Sequence, residues 1–111
     1  MSDTTETRKF NVICTGRTQN RQILHRLKLL GYTYNSGDPI DPDNIAYSFR
    51  REDEDGKIIR SNCYAINEAN QTIAYNSSYA MMLHKILNDP VVSFTYYNAR
   101  LEHHLKEGNE R

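Results

Sequence analysis

Apolar and polar positions alternate from the first structured residues: Phe10, Val12 and Cys14 take turns with Asn11 and Ile13, the period of a short strand. Thr15-Gly16-Arg17-Thr18 breaks the alternation and offers an N-cap in Thr18. Ile23, Leu24, Leu27 and Leu30 then recur at helical spacing, which predicts a helix of about three turns with one apolar stripe. Gly31 suits the position just past its end, where glycine alone reaches the left-handed conformation without cost. Extended structure resumes at Tyr32-Thr33-Tyr34, and a polar stretch with Pro39 and Pro42 reads as a long loop.

Ile45, Tyr47 and Phe49 alternate as a second strand, Glu52 to Lys57 turns about Asp55-Gly56, and Ile58 to Ile66 returns as a third, forming a hairpin. After a polar turn from Asn67 to Gln71, Thr72 to Tyr75 reads as a fourth strand of the meander. Ser77 or Ser78 caps a second predicted helix, with Tyr79, Met82, Leu83, Ile86 and Leu87 on one face and Pro90 closing it. The β-branched and aromatic run Val91 to Tyr97 predicts a last strand. The order β-α-β-β-β-α-β calls for an α+β fold in a single domain: two helices against one face of a mostly antiparallel sheet of four to five strands. Residues 1–9 are expected to be a flexible arm, 10–97 the domain, and 98–111 a charged tail with a short helix about Leu101 and Leu105.

Composition narrows the class of activity. In 111 residues, 14 Lys and Arg balance 14 Asp and Glu, so the net charge of +0 removes the global attraction that drives generic polyanion binding, and nucleic acid is disfavoured as a partner. The longest apolar runs, such as Met81-Met82-Leu83, fall far short of the roughly 20 residues that span a bilayer, and no secretory signal begins the chain. No membrane contact and a cytoplasmic location are the expectation. Cys14 and Cys63 lie inside apolar strand segments and read as reduced, buried thiols. The four histidines supply no spacing that would join them in a zinc site, and no metal or other cofactor is expected.

The segments Leu27-Lys28-Leu29-Leu30-Gly31-Tyr32-Thr33-Tyr34-Asn35-Ser36-Gly37, Asn62-Cys63-Tyr64-Ala65-Ile66 and Thr72-Ile73-Ala74-Tyr75-Asn76-Ser77 resemble a pattern of small phage-encoded α+β proteins. In those proteins an LxxLGYxWxSG turn is followed by CYxI and TIxYxS strands. Tyr34 stands where that group has Trp, and the loop from Gly37 to Ile45 is longer and more acidic. The resemblance covers about residues 10 to 95 and implies a counter-defence role in the host cytoplasm. It says nothing about chemistry.

The residues themselves favour binding over catalysis. No G-x-S-x-G, Cys-His, P-loop or G-x-G-x-x-G signature is present, so the expectation is a protein that is not an enzyme, with a small hydrolase as the remotest reading. Eight tyrosines offer stiff amphipathic rings at low entropic cost. Arg17 follows a glycine beside a helix N-terminus, and Arg50, Arg51 and Arg60 lie on the two strands of one hairpin, where guanidinium geometry suits phosphate. A solvated hairpin salt-bridged to Glu52, Asp53 and Glu54 is the plainer reading of the same arginines. The ligand-binding candidates are Arg17, Tyr32, Tyr34, Ser36, Arg50, Arg51, Arg60, Tyr75 and Ser77, for a small (cyclic) nucleotide immune signal that is sequestered without cleavage. The alternative is an inhibitor that docks on a host defence or regulatory protein through the acidic loops at Asp38 to Asp43 and Glu52 to Asp55. Pairing of exposed edge strands predicts a homodimer or higher oligomer, with sites that can lie between subunits.

Overall fold

The computed structural model describes residues 8–76, 83 and 87–109. Among them, two helices pack on one face of an open, mixed sheet of six strands. The elements are β1 (Lys9–Thr15), α1 (Gly16–Leu29), β2 (Thr33–Tyr34), β3 (Phe49–Glu52), β4 (Ile58–Asn67), β5 (Thr72–Tyr75), β6 (Val91–Ser93) and α2 (Phe94–Asn109). The sheet runs β2-β5-β4-β1-β6, and β3 joins β4 on the edge it shares with β5. The α+β class with two helices thus holds. The sheet has six strands because Thr33–Tyr34 adds an edge, and β1–β6 and β2–β5 are parallel while β4 is antiparallel to β1, β3 and β5.

Register explains the core. Phe10, Val12 and Cys14 stand opposite Ile66, Tyr64 and Asn62, so one face of β1 and β4 meets Ile23, Leu24 and Leu27 of α1 and Tyr97 and Leu101 of α2. Period-2 alternation on the strands and the helical stripes converge on one buried cluster. β3 pairs only Ile58 to Ser61 of β4, whereas β1 pairs Ser61 to Asn67, so the β3–β4 hairpin projects past the end of β1.

Helix α1 begins three residues earlier than the Thr18 cap predicts. Gly16 turns the chain with φ +79°, a conformation that strains any residue with a Cβ. Thr15 makes no side-chain cap, and its N–H donates instead to Gln19 Oε1 at 2.8 Å. From inside the helix, Asn20 Nδ2 donates to Gly16 O at 2.6 Å and Cys14 O at 3.3 Å, fixing the junction with β1. The other end follows the sequence reading: Gly31 has φ +92°, and Tyr32 N–H reaches Leu27 O while Gly31 N–H reaches Lys28 O, a Schellman motif.

Two further expectations are corrected. The strand predicted at Ile45, Tyr47 and Phe49 starts only at Phe49. Ser48 N–H is taken by the Asn62 side chain at 2.8 Å, so the preceding residues follow β4 without entering the ladder. The strand predicted for Val91 to Tyr97 ends at Ser93, whose Oγ accepts the Tyr96 N–H at 3.1 Å and caps α2. Phe94, Tyr97, Leu101 and Leu105 then share a helical stripe, and the segment expected to be a charged tail belongs to that helix to Asn109. The helix predicted from Ser77 to Leu87 lies largely outside the described residues, as do residues 1–7 of the expected arm. No helix among the described residues is long and apolar enough to cross a membrane.

A partly buried ion pair docks α2. Glu68, at the end of β4, receives Arg100 Nε and Nη2 and the Tyr97 hydroxyl, each at 2.7 Å, and the Arg100 guanidinium lies 5.0 Å over the Phe10 ring. Burial pushes the Glu68 carboxyl up, but the hydrogen bonds from Arg100 and Tyr97 outweigh it and hold the carboxyl below its ordinary value of 4.5. A group whose folded value is lowered stabilises the fold above its unfolded value and loses that contribution as pH falls through the folded one. Glu68→Gln is therefore expected to cost about 2 kcal/mol at pH 7. In urea titrations the gap between wild type and variant narrows progressively below pH 4.5; a gap independent of pH contradicts this account.

Candidate functional site

The sequence candidates separate into distinct places. Arg17 is exposed in the first turn of α1, and Arg60 is exposed on β4. Gly16, Arg17, Tyr47, Ile58 and Arg60 line one surface groove of about 340 Å³. Arg50 stands directly opposite Arg60 in the β3–β4 ladder and therefore on the same face. Arg51 pairs Ile59 and points to the other face of the hairpin, away from this groove.

Local structure assembles the groove from three elements. Asn20 holds the first turn of α1, as described above. Asn62 Nδ2 donates to Asn20 Oδ1 at 2.9 Å, and the Tyr64 hydroxyl donates to the same oxygen at 2.6 Å. Asn62 Oδ1 receives Ser48 N–H, next to Tyr47, and Asn62 itself lies two residues beyond Arg60 on the same face of β4. The helix start, the incoming loop and the central strand are thus tied together beneath the groove.

Its electrostatics are one-sided. The first turn of α1 holds no acidic residue, and its N–H groups carry the positive end of the helix dipole. Among the described residues, Arg17, Arg50 and Arg60 form no ion pair. Like charges directly opposite in an antiparallel ladder are destabilising; Glu52, opposite Ile58, shares the face of Arg50 and Arg60 but forms no ion pair with either. Tyr47 and Ile58 supply an aromatic and an aliphatic wall. Such a set can hold an organic anion by guanidinium hydrogen bonds while a flat group packs on the ring.

Tyr34, Ser36 and Tyr75 come together elsewhere, with Asn35, Ile73 and Ala74, around an open groove of about 350 Å³ beside β2 and β5. The Tyr34 and Tyr75 rings stack at 6.0 Å, and Tyr75 tilts against Tyr64 at 5.1 Å. Burial pushes the Tyr75 hydroxyl up to about 12, helped by its hydrogen bond to Tyr34. The Ser36 hydroxyl is engaged within its own turn, donating to Asp38 Oδ2 at 3.1 Å. Tyr32 is only 8% exposed and belongs to the core beside Glu68, where burial raises its hydroxyl to about 12. Ser77 lies outside the described residues.

Sequence reasoning missed Gly16, Tyr47 and Ile58. The glycine carried a signal, since it precedes the helix, and so did Tyr47 as one of the eight tyrosines, whereas Ile58 carried none. Comparison with protein-family models, with curated proteins and with solved structures found no match to this chain.

Neither thiol is poised as a nucleophile. Burial, then the neighbouring Cys63, pushes Cys14 up to about 12, and burial also raises Cys63 against the opposing hydrogen bond from Asn76. In native protein at pH 8 both cysteines are expected to resist a thiol-exchange reagent, and both react at once in denaturant. Rapid labelling of either in the folded state contradicts their burial.

Proposed function

We propose that this chain is a binding protein that takes up a small nucleotide through its phosphate in the Arg17–Arg60–Tyr47 groove and holds it without cleavage. The observation that carries the reading is the cross-strand pair of Arg50 and Arg60, neither held in an ion pair, beside the start of α1, where Arg17 adds a third guanidinium. A phosphate there relieves the like-charge repulsion and receives hydrogen bonds from guanidinium and backbone N–H groups alike. Tyr47 offers its face to the base, a contact that tolerates different bases because every base has a π-face. The resemblance to phage proteins extends the proposal to its setting: sequestration of a nucleotide signal of host immunity by a counter-defence protein. A second reading, docking on a basic face of a host protein, draws on the projecting hairpin, whose exposed tip carries Glu52, Glu54 and Asp55.

Calorimetric titration with AMP and GMP tests the first reading. Wild type is expected to bind, and Arg17→Ala and Arg60→Ala each weaken binding about tenfold, the worth of one hydrogen bond to a charged group. Mass spectrometry of the heat-released ligand is expected to recover it intact. Failure of both nucleotides to bind, affinity unchanged in both variants, or recovery of a hydrolysed product contradicts the proposal.

A further inference from the structure

Arg17 stands between two grooves. Besides the one described, it lines a second of about 440 Å³ with Thr18, Arg21, Gln22 and His25, along the exposed flank of α1. Arg17, Arg21 and His25 are four residues apart, so they follow one another at about 6 Å along the helix axis. That interval exceeds the separation of the two phosphorus atoms of a pyrophosphate and is of the order of that between neighbouring phosphodiesters in a nucleotide chain.

The second groove already shows how it treats an anion. Arg21 turns both Nε and Nη2 onto a single oxygen of Asp43, Oδ1, at 3.0 and 2.9 Å. The side chains are 53% and 68% exposed, so the pair is weak and easily exchanged. Asp43 is held in place by its loop, its N–H donating to Asp41 Oδ1 at 3.0 Å. A phosphate presents several oxygens to the guanidinium fork and can replace this one-oxygen contact with a bidentate one. His25 lies about 12 Å from Arg17 and the exposed Lys28 follows on the same flank, but Asp43 borders the row and the chain's net charge is +0, which limits the number of phosphates it can follow.

We propose that the ligand carries two phosphates about one helical turn apart. The first sits with Arg17 and Arg60, and the second with Arg21 and His25, displacing Asp43. This rests on the nucleotide reading of the first groove and names the ligand class as a dinucleotide, in preference to a mononucleotide, a nucleoside diphosphate or a long strand.

The test is calorimetric titration of the full chain with AMP, ADP, the linear dinucleotide pApA and a 20-nucleotide oligo(dA). Wild type is expected to bind pApA about tenfold more tightly than AMP or ADP. Arg21→Ala removes that advantage and leaves AMP affinity within about twofold, whereas Asp43→Asn strengthens pApA binding and not AMP binding. If AMP binds and pApA is no tighter, or if Arg21→Ala weakens both ligands equally, the second subsite is overturned while the first groove stands. If none of the four ligands binds, the nucleotide reading falls and this inference with it. Oligo(dA) binding more tightly than pApA overturns the dinucleotide in favour of a strand.

Discussion

The buried amide of Asn20 is the contact on which the candidate site depends. Its oxygen accepts from Asn62 and from the Tyr64 hydroxyl, and its nitrogen donates to the carbonyls of Cys14 and Gly16. All four partners belong to β4 or to the β1–α1 junction. An unpartnered polar group in this interior costs about 1–3 kcal/mol, so the network is stable only when every member is in place. That requirement fixes the helix start against the strand and, through Asn62 and Ser48, the loop that carries Tyr47. The basic groove is the surface of this buried construction: Gly16 and Arg17 at its helical side, Arg60 on its strand and Tyr47 on its loop.

A second polar cluster performs the corresponding task for α2. Glu68 sits where β4 turns toward β5 and binds Arg100 and Tyr97, while Arg100 covers the Phe10 ring. Arg26 of α1 meets Glu102 of α2 at 3.1 Å, joining the two helices at the surface. On the opposite face of the sheet, Asn76 donates to Asn11 Oδ1 and Cys63 Sγ. A core of isoleucine and leucine side chains is thus completed by asparagines and tyrosines, whose directional bonds specify which strand faces which helix. Tyrosine accordingly has two roles here. Tyr64 and Tyr97 are fully buried parts of these networks, whereas Tyr34 and Tyr47 are half exposed at grooves.

Much of the fold was legible because local patterns and tertiary contacts agree at β1, α1, the β3–β4 turn, β4 and β5. Where they disagree, the decisive partner is distant or subtle. Val91 to Tyr97 has strand composition, yet the Ser93 cap and the stripe through Phe94, Tyr97 and Leu101 turn it into a helix. Asn20 looks like an ordinary polar helix residue until its partner 42 positions away is known. The candidate ligand residues were legible only as types. Arg17 and Arg60 do share a groove, and Tyr34, Ser36 and Tyr75 share another, but Tyr32 is buried and Arg51 faces away, since register assigns alternate residues to opposite faces. Net neutrality conceals this arrangement, because the acidic residues gather in loops and leave the start of α1 uncompensated.

Backbone amide shifts followed by NMR during titration with AMP address the central claim most directly, because they locate a ligand without altering a residue. The account predicts saturable shifts concentrated at Gly16, Arg17 and Thr18, at Tyr47 and along Ile58 to Arg60. Shifts confined to the Tyr34–Tyr75 groove, or no saturable shift at all, would contradict it.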